Sequence, residues 1–135
     1  MSRKNTLLSY PTISAGTMTG TSVLTSTVTN IQYLDNVGVQ FTWSGSPVGN
    51  FQIQVSADYA ADINNNVTNA GNWAPLLFTY WNGTIFVTSY NIPTSLGSPI
   101  YMDLDLLSAP WIRVQYTNTS STGTLTAVIT AKALN

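Results

Sequence analysis

The sequence contains no histidine, no cysteine and no glutamate. Without histidine or cysteine, a Ser–His or Cys–His nucleophile cannot form, and zinc loses its usual ligands. The lack of cysteine also excludes disulfides and leaves the redox compartment undetermined. No P-loop or dinucleotide-binding glycine pattern occurs. We therefore expect a protein that is not an enzyme and that needs no cofactor.

Charge is scarce as well. Four Lys or Arg and five Asp make up 7% of the 135 residues, against about a quarter in typical globular domains. Apart from Arg3 and Lys4 at the N-terminus, the basic residues are Arg113 and Lys132. This distribution lacks the basic patch that nucleic-acid binding needs, so we expect no nucleic-acid partner. Weak repulsion between near-neutral copies favours association, so we expect a homo-oligomer.

Long apolar runs are missing too. The N-terminal MSRKNTLLSYPTISAG starts basic but has no apolar stretch of signal-peptide length, and no 18-residue apolar run occurs. We therefore expect no membrane insertion. What the chain does contain is polar but uncharged: Ser, Thr, Asn and Gln occupy 52 positions, beside four Trp, seven Tyr and four Phe. Disordered chains are poor in aromatic residues, so this composition favours one folded domain.

Apolar residues recur with a period of two along most of the chain. In VGVQFTW, Val37, Val39, Phe41 and Trp43 share one face, and FQIQV repeats the alternation. The pattern predicts roughly seven to nine short strands, which is typical of an antiparallel sandwich or barrel. We predict an all-β protein: an antiparallel β-sandwich of jelly-roll type in a single domain over residues 21–135, preceded by an arm or edge strand over residues 1–20.

The same alternation predicts which side chains form the core and where the chain turns. The short link SGSPVGN between the first two alternating segments predicts a hairpin, and Asn82-Gly83 after Trp81 predicts a second hairpin with a two-residue turn. The predicted core residues are Leu24, Val28, Phe41, Ile53, Val55, Ile112, Val114 and Ile129.

Five aspartates are the only acidic side chains. Asp62, Asn64 and Asn66 have the spacing of an EF-hand calcium loop, but Val67 and Trp73 occupy the positions that need Gly and Glu. A calcium ion or a hydrolytic carboxylate pair would have to use Asp58, Asp62, Asp103 or Asp105. The alternative, solvent-facing or turn-capping aspartates, fits the alternation around Leu104 better. We therefore expect no metal site.

The segment DINNNVTNAGNW, residues 62–73, combines one Asp and five Asn with a terminal Trp. Loops of this length are usually functional or disordered, and exposed aromatic residues beside amides suit both sugars and protein partners. The alternative is a connection that touches nothing. We predict an interaction surface made of Asp62, Asn64, Asn66, Asn69, Trp73, Trp81 and Asn82.

Two resemblances can be identified from these segments. FQIQVSADYA…GNWAPL followed by SAPWIRVQYTNTSSTGTLTAVITAKAL resembles discoidin-like, galactose-binding-type jelly rolls, in which Ser-x-Asp leads to a Trp and a later strand contains Arg-Val. Here Ser56, Asp58, Trp73 and Arg113 fill those places. This resemblance implies a carbohydrate-binding module, which we keep as the alternative function, with a host-surface glycan as its ligand.

Residues 37–135 are also similar to small structural proteins of bacteriophage virions. Those proteins often share a Thr/Asn-rich β-sandwich without His or Cys that ends in a strand like TLTAVITAKAL. The resemblance implies a virion protein that decorates the capsid, forms a collar or spike, or belongs to the tail. It would act by contacts with copies of itself and with other virion proteins, and this is the function that we adopt.

Overall fold

Strands dominate the computed structural model of this protein, which describes residues 5–104 and 107–134. Arg3, Lys4 and Asp105 lie outside the described residues. A 3-10 helix covers Thr94–Leu96, and none of the described residues belongs to a helix long and apolar enough to cross a membrane. The strands are β1 Asn5–Met18, β2 Val23–Thr25, β3 Thr29–Asn30, β4 Asp35–Gly45, β5 Val48–Ser56, β6 Ala60–Ala61, β7 Val67–Asn69, β8 Ala74–Pro75, β9 Phe78–Trp81, β10 Phe86–Ser89, β11 Ile92–Pro93, β12 Ile100–Leu104, β13 Trp111–Ser120 and β14 Gly123–Leu134.

Two antiparallel sheets form the body of the molecule. The first sheet has the order β1-β14-β4-β12, and the second follows β11-β5-β13-β2, with β3 paired to β13 and β8 paired to β5. The pairs β6–β7 and β9–β10 form two separate two-stranded sheets. The predicted all-β antiparallel sandwich is therefore confirmed. β1 is an edge strand of the first sheet, while the domain boundary after residue 20 stays a prediction.

The core lies between the two sheets and is filled by the alternating apolar residues. Phe51 of β5 stacks on Phe41 of β4 with ring centroids 4.3 Å apart, and Tyr116 of β13 lies 4.8 Å from Phe51 on the same core. Aromatic rings at such separations add to the free energy gained by burying their area. The predicted core residues with no exposed surface are Phe41, Ile53, Ile112, Val114 and Ile129.

Three predicted core residues occupy less central positions. Val55 and Leu24 are half-buried but pack against the core. Val28 is half-buried and lies outside the core cluster, so its assignment to the core was wrong. Thr29 of β3 and Ile31, which follows β3, are buried instead, so the inward positions begin one residue later than the sequence pattern predicts.

The link between β4 and β5 does not form the predicted hairpin. β4 pairs with β14 and β12 in the first sheet, whereas β5 pairs with β13, β11 and β8 in the second, so the link crosses between sheets. The link from β13 to β14 crosses in the same place. At Gly45, where φ is +82°, an added Cβ would lie 2.5 Å from the carbonyl oxygen of Thr122. The two crossings therefore pack backbone against backbone, which only glycine permits.

The second predicted hairpin is present, but its turn is longer than predicted. Trp81 pairs with Phe86, so residues 82–85 form a four-residue turn instead of a two-residue Asn-Gly turn. The Asn82 Oδ1 accepts the backbone N–H groups of Thr84 and Ile85, each at 2.9 Å. Such side-chain bonds to the local backbone stabilise a wider turn than the dipeptide alone predicts.

Candidate functional site

The segment that follows β5 is anchored at its base by Asp58. The Ser56 hydroxyl donates to the Asp58 Oδ1 at 2.9 Å and accepts the backbone N–H of Tyr59 at 3.1 Å. The backbone N–H and the side-chain amide of Asn72 donate to the two Asp58 carboxylate oxygens, each at 2.7 Å. These bonds from Asn72, and then from Ser56, lower the pKa of Asp58. One ionised carboxylate thus holds the two ends of residues 58–72 together.

Between these ends, the Asn-rich segment forms a short hairpin and not the open loop that its sequence predicts. β6 pairs with β7, and the Asp62 Oδ1 accepts the backbone N–H groups of Asn64 and Asn66, each at 2.9 Å. The bond from the Asn66 backbone is the main cause that lowers the pKa of Asp62. Asn65 has a left-handed φ of +63°, a conformation that Asn tolerates well. Local bonds therefore determine the shape of this projection.

Trp73 fixes the hairpin to the second sheet. Its indole Nε1–H donates to the carbonyl oxygen of Ala70 at 2.9 Å, and the Arg113 guanidinium lies 4.3 Å from its ring centroid. The Arg113 Nε donates to the Gln54 Oε1 at 2.8 Å, which orients the guanidinium. A cation over an indole face is attracted by the ring quadrupole. The structure thus brings Ser56, Asp58, Trp73 and Arg113 to one end of the sandwich.

The predicted interaction surface is divided between two hairpins. Trp81 and Asn82 lie on the β9–β10 hairpin, where Trp81 is 52% exposed and meets Phe86 edge-on at 5.0 Å. The β6–β7 hairpin and its base contain Asp62, Asn64, Asn66, Asn69 and Trp73. All of these side chains are exposed except that of Trp73, which is half-buried. That these residues bind a partner stays a prediction.

A cleft lies beside the β6–β7 hairpin. It has a volume of about 530 Å³ and is lined by Thr27, Val28, Tyr59, Ala61, Asp62, Asn65 and Trp111. Tyr59 and Trp111 are half-buried and meet edge-on with ring centroids 4.9 Å apart. Aromatic walls with carboxylate, amide and hydroxyl groups at the rim suit a hydroxylated ligand.

The sequence did not associate Tyr59 with Trp111. They approach because β13 pairs with β5 in a register that sets Trp111 opposite Ser56, three residues before Tyr59. The local sequence indicates only that Trp111, which follows Pro110, should point to the opposite face of the strand from Ile112. Ile85 and Phe86, which follow Asn82-Gly83-Thr84, are also exposed, and the sequence pattern did not indicate this.

The aspartates do not assemble into a metal centre in the part of the chain that the structure describes. No group of three His, Cys, Asp or Glu side chains that could hold a metal ion occurs among these residues. Asp58 and Asp62 accept bonds from their own segment, and Asp103 lies on β12 in the first sheet. Asp105, the remaining aspartate considered as a possible ligand, lies outside the described residues.

No protein-family model and no curated protein matches the sequence. Among solved structures, the SPBc2 prophage-derived protein YomS is similar with a TM-score of 0.59 and 17% identity, over 98% of this chain and 98% of that chain. A chain in the structure of infectious bursal disease virus, Gx strain, has a TM-score of 0.48 and 8% identity, covering 96% of this chain and 32% of that chain. The likeness to YomS shows a shared fold over nearly the whole length of both proteins.

Proposed function

We propose that this protein is a structural component of a bacteriophage virion that acts through contacts with copies of itself and with other virion proteins. The observation that supports this most is the correspondence with a prophage-derived protein over 98% of each chain. Both chains are thus the same sandwich with almost nothing added, which fits a small assembly unit. A protein with this role needs no catalytic residues and no cofactor.

The surface of the sandwich supports the same proposal. Two hairpins, β6–β7 and β9–β10, are paired outside the main sheets and present amides and large apolar side chains to solvent. Exposed apolar side chains gathered on one surface mark interaction sites more often than scattered ones do. With a formal net charge of −1, the copies repel one another little.

We also propose that the connectivity is of the jelly-roll type. A jelly roll folds one long antiparallel strand pair into two facing sheets. Here the β4–β14 pair of the first sheet continues into the β5–β13 pair of the second sheet. It does so because the β4–β5 link and the β13–β14 link both cross between the sheets. The outer strands follow the same arrangement in both sheets. β1 and β2 lie beside β14 and β13, and β12 and β11 lie beside β4 and β5, which supports the proposal.

The test of the virion proposal is the protein composition of purified particles. Particles from the phage that encodes the chain should contain it at a reproducible copy number by quantitative mass spectrometry, and antibody labelling should place it on the capsid, collar, spike or tail. Its absence from purified particles, with abundant protein in the lysate, would overturn the proposal.

A second candidate function, carbohydrate binding, has the cleft beside the β6–β7 hairpin in its favour. Its aromatic walls and polar rim fit a neutral oligosaccharide such as a host-surface glycan. Replacing Asn65 with Gly removes an amide from the rim but keeps its left-handed φ, and should abolish binding on a glycan array. Asn64→Gly, one residue away and outside the cleft lining, is the matched control. A blank array for the parent protein would reject this function.

A further inference from the structure

The β9–β10 hairpin exposes an uncharged face of large side chains. Strand alternation and the pairing of Trp81 with Phe86 and of Thr79 with Thr88 place alternate residues on this side. Phe86 is 72% exposed, Leu77 55%, Trp81 52% and Tyr90 50%. We call this surface the hairpin face; it consists of Leu77, Thr79, Trp81, Phe86, Thr88 and Tyr90.

On the opposite side of the same hairpin, Phe78 attaches the hairpin to the sandwich. Phe78 is half-buried and packs against the core, and Tyr80 and Val87 are half-buried as well. Across the exposed side, the Thr79 and Thr88 hydroxyl oxygens are 2.9 Å apart and hydrogen-bonded. Since an isolated two-stranded hairpin is marginally stable in water, this support pre-organises the hairpin face.

The chemistry of the hairpin face restricts its partner. No charged side chain occurs anywhere in residues 63–102, which include the whole hairpin. A charged partner surface would lose its hydration against this face without gaining a counter-ion. An uncharged apolar surface therefore fits this face better than a charged one. A second copy of this chain supplies an uncharged apolar surface, because it presents the same hairpin face.

We propose that the hairpin face is a homotypic docking surface, on which a second copy packs face to face about a twofold axis. The proposal rests on the proposed assembly function and names the residues that perform it. Phe86, Trp81 and Tyr90 are 72%, 52% and 50% exposed, so aromatic side chains of about 150–250 Å² each expose roughly 260–435 Å² per copy. The pair would bury roughly 500–900 Å² of aromatic surface in total, which is the size of a weak contact. The dimer is therefore little populated in dilute solution and becomes populated where copies are concentrated.

The test is sedimentation velocity of the purified full chain over a series of concentrations. The mass of the parent protein should rise from monomer towards dimer as the concentration increases. Phe86→Lys places a charge in the contact and should weaken association at least about tenfold. Tyr33→Lys adds the same charge at a side chain that is 85% exposed and lies off the hairpin, and it should associate like the parent. Circular dichroism verifies that both variants are folded.

A proximity measurement tests the same contact without adding charge. The chain has no cysteine, so Thr88→Cys gives a single thiol on the hairpin face, and Thr126→Cys gives a matched one at an exposed threonine of β14. A short bismaleimide should link Thr88→Cys copies into dimers and leave Thr126→Cys largely monomeric. Equal yields, a parent mass independent of concentration, or unchanged association of Phe86→Lys would each overturn the proposal.

These outcomes are distinguishable from failure of the virion proposal. A chain that is absent from purified particles but pairs through Phe86 would reject the virion function and leave the docking surface standing. A chain that is present in particles but whose Phe86→Lys variant associates normally would reject the docking surface alone.

Discussion

The body of the sandwich and its two hairpins are built by different interactions. In the body, alternate residues of β4, β5, β13 and β14 are buried, and they supply most of the core. Within the described segments 60–69 and 78–90, by contrast, every residue is exposed or half-buried. The turns there are shaped by the side-chain oxygens of Asp62 and Asn82, which accept hydrogen bonds from nearby backbone N–H groups. The body therefore determines stability, whereas the hairpins are free to present a surface.

The largest expected effect comes from placing a charge in the body. Val114 has no exposed surface and lies in the central strand β13, so Val114→Asp should cost about 3–5 kcal/mol and abolish the folded state. Val23→Asp, at a 53% exposed position of β2, is the control and should fold normally. Circular dichroism and soluble yield report the result. A cooperative, parent-like melting transition for Val114→Asp would contradict this account of the core.

Removing one buried hydrogen bond should have a smaller effect. The buried Tyr116 hydroxyl donates to the Asn118 Oδ1 at 2.7 Å, so Tyr116→Phe leaves a buried acceptor unsatisfied. We expect a loss of about 1–3 kcal/mol in urea denaturation. Tyr101→Phe removes an exposed hydroxyl contact with Thr130 and should change stability little. Equal losses in the two variants would show that burial of the bond is not what matters.

The bonds of Asp58 predict a pH dependence that originates at the base of the β6–β7 hairpin. Its pKa is lowered in the folded state, so its contribution to stability is present above the ordinary aspartate pKa of 3.8 and is lost as the pH falls through the folded pKa. Asp58→Asn should melt below the parent at neutral pH, and the difference should shrink in acid. Melting curves over a pH series measure this. A difference that stays constant with pH would exclude the carboxylate as its cause.

Shortening the β6–β7 hairpin should affect association more than stability. Replacing residues 64–69 with a short Gly-Ser linker removes exposed side chains and leaves the core untouched. We expect a nearly unchanged melting temperature and reduced assembly, measured by light scattering and by incorporation into particles. If the shortened chain assembles as well as the parent, this hairpin is only a connection.

Metal removal should have the smallest effect. Dialysis against a chelator should leave the melting temperature unchanged, since the described residues provide no cluster of three possible ligands. A clear drop that calcium reverses would instead support a site around Asp58, Asp62, Asp103 or Asp105.

The body could be predicted from the sequence because burial between two sheets imposes a period of two. Phe41, Ile53 and Val114 follow that period and have no exposed surface. The crossing links could not be predicted, since a short Gly/Pro-rich link looks the same whether the next strand joins its own sheet or the other. At the crossing, Gly45 packs against Thr122, a residue remote in sequence.

The candidate site was predicted only in part for a related reason. The density of Asn and Asp singles out residues 62–73 in the sequence, but their local bonds convert the predicted loop into a hairpin. The approach of Tyr59 to Trp111 depends on the pairing register of β5 and β13, which no local pattern contains. Local chemistry therefore identifies candidate residues, and long-range pairing decides which of them meet.

Hydrogen exchange on the full chain, measured in the dilute monomer and in the associated state, tests the division between body and hairpins most directly. We expect slow exchange in β4, β5, β13 and β14 in both states, and fast exchange in residues 78–89 that slows on association. Unchanged exchange in residues 78–89, with new protection at the edge strands β1 or β12 instead, would contradict this expectation.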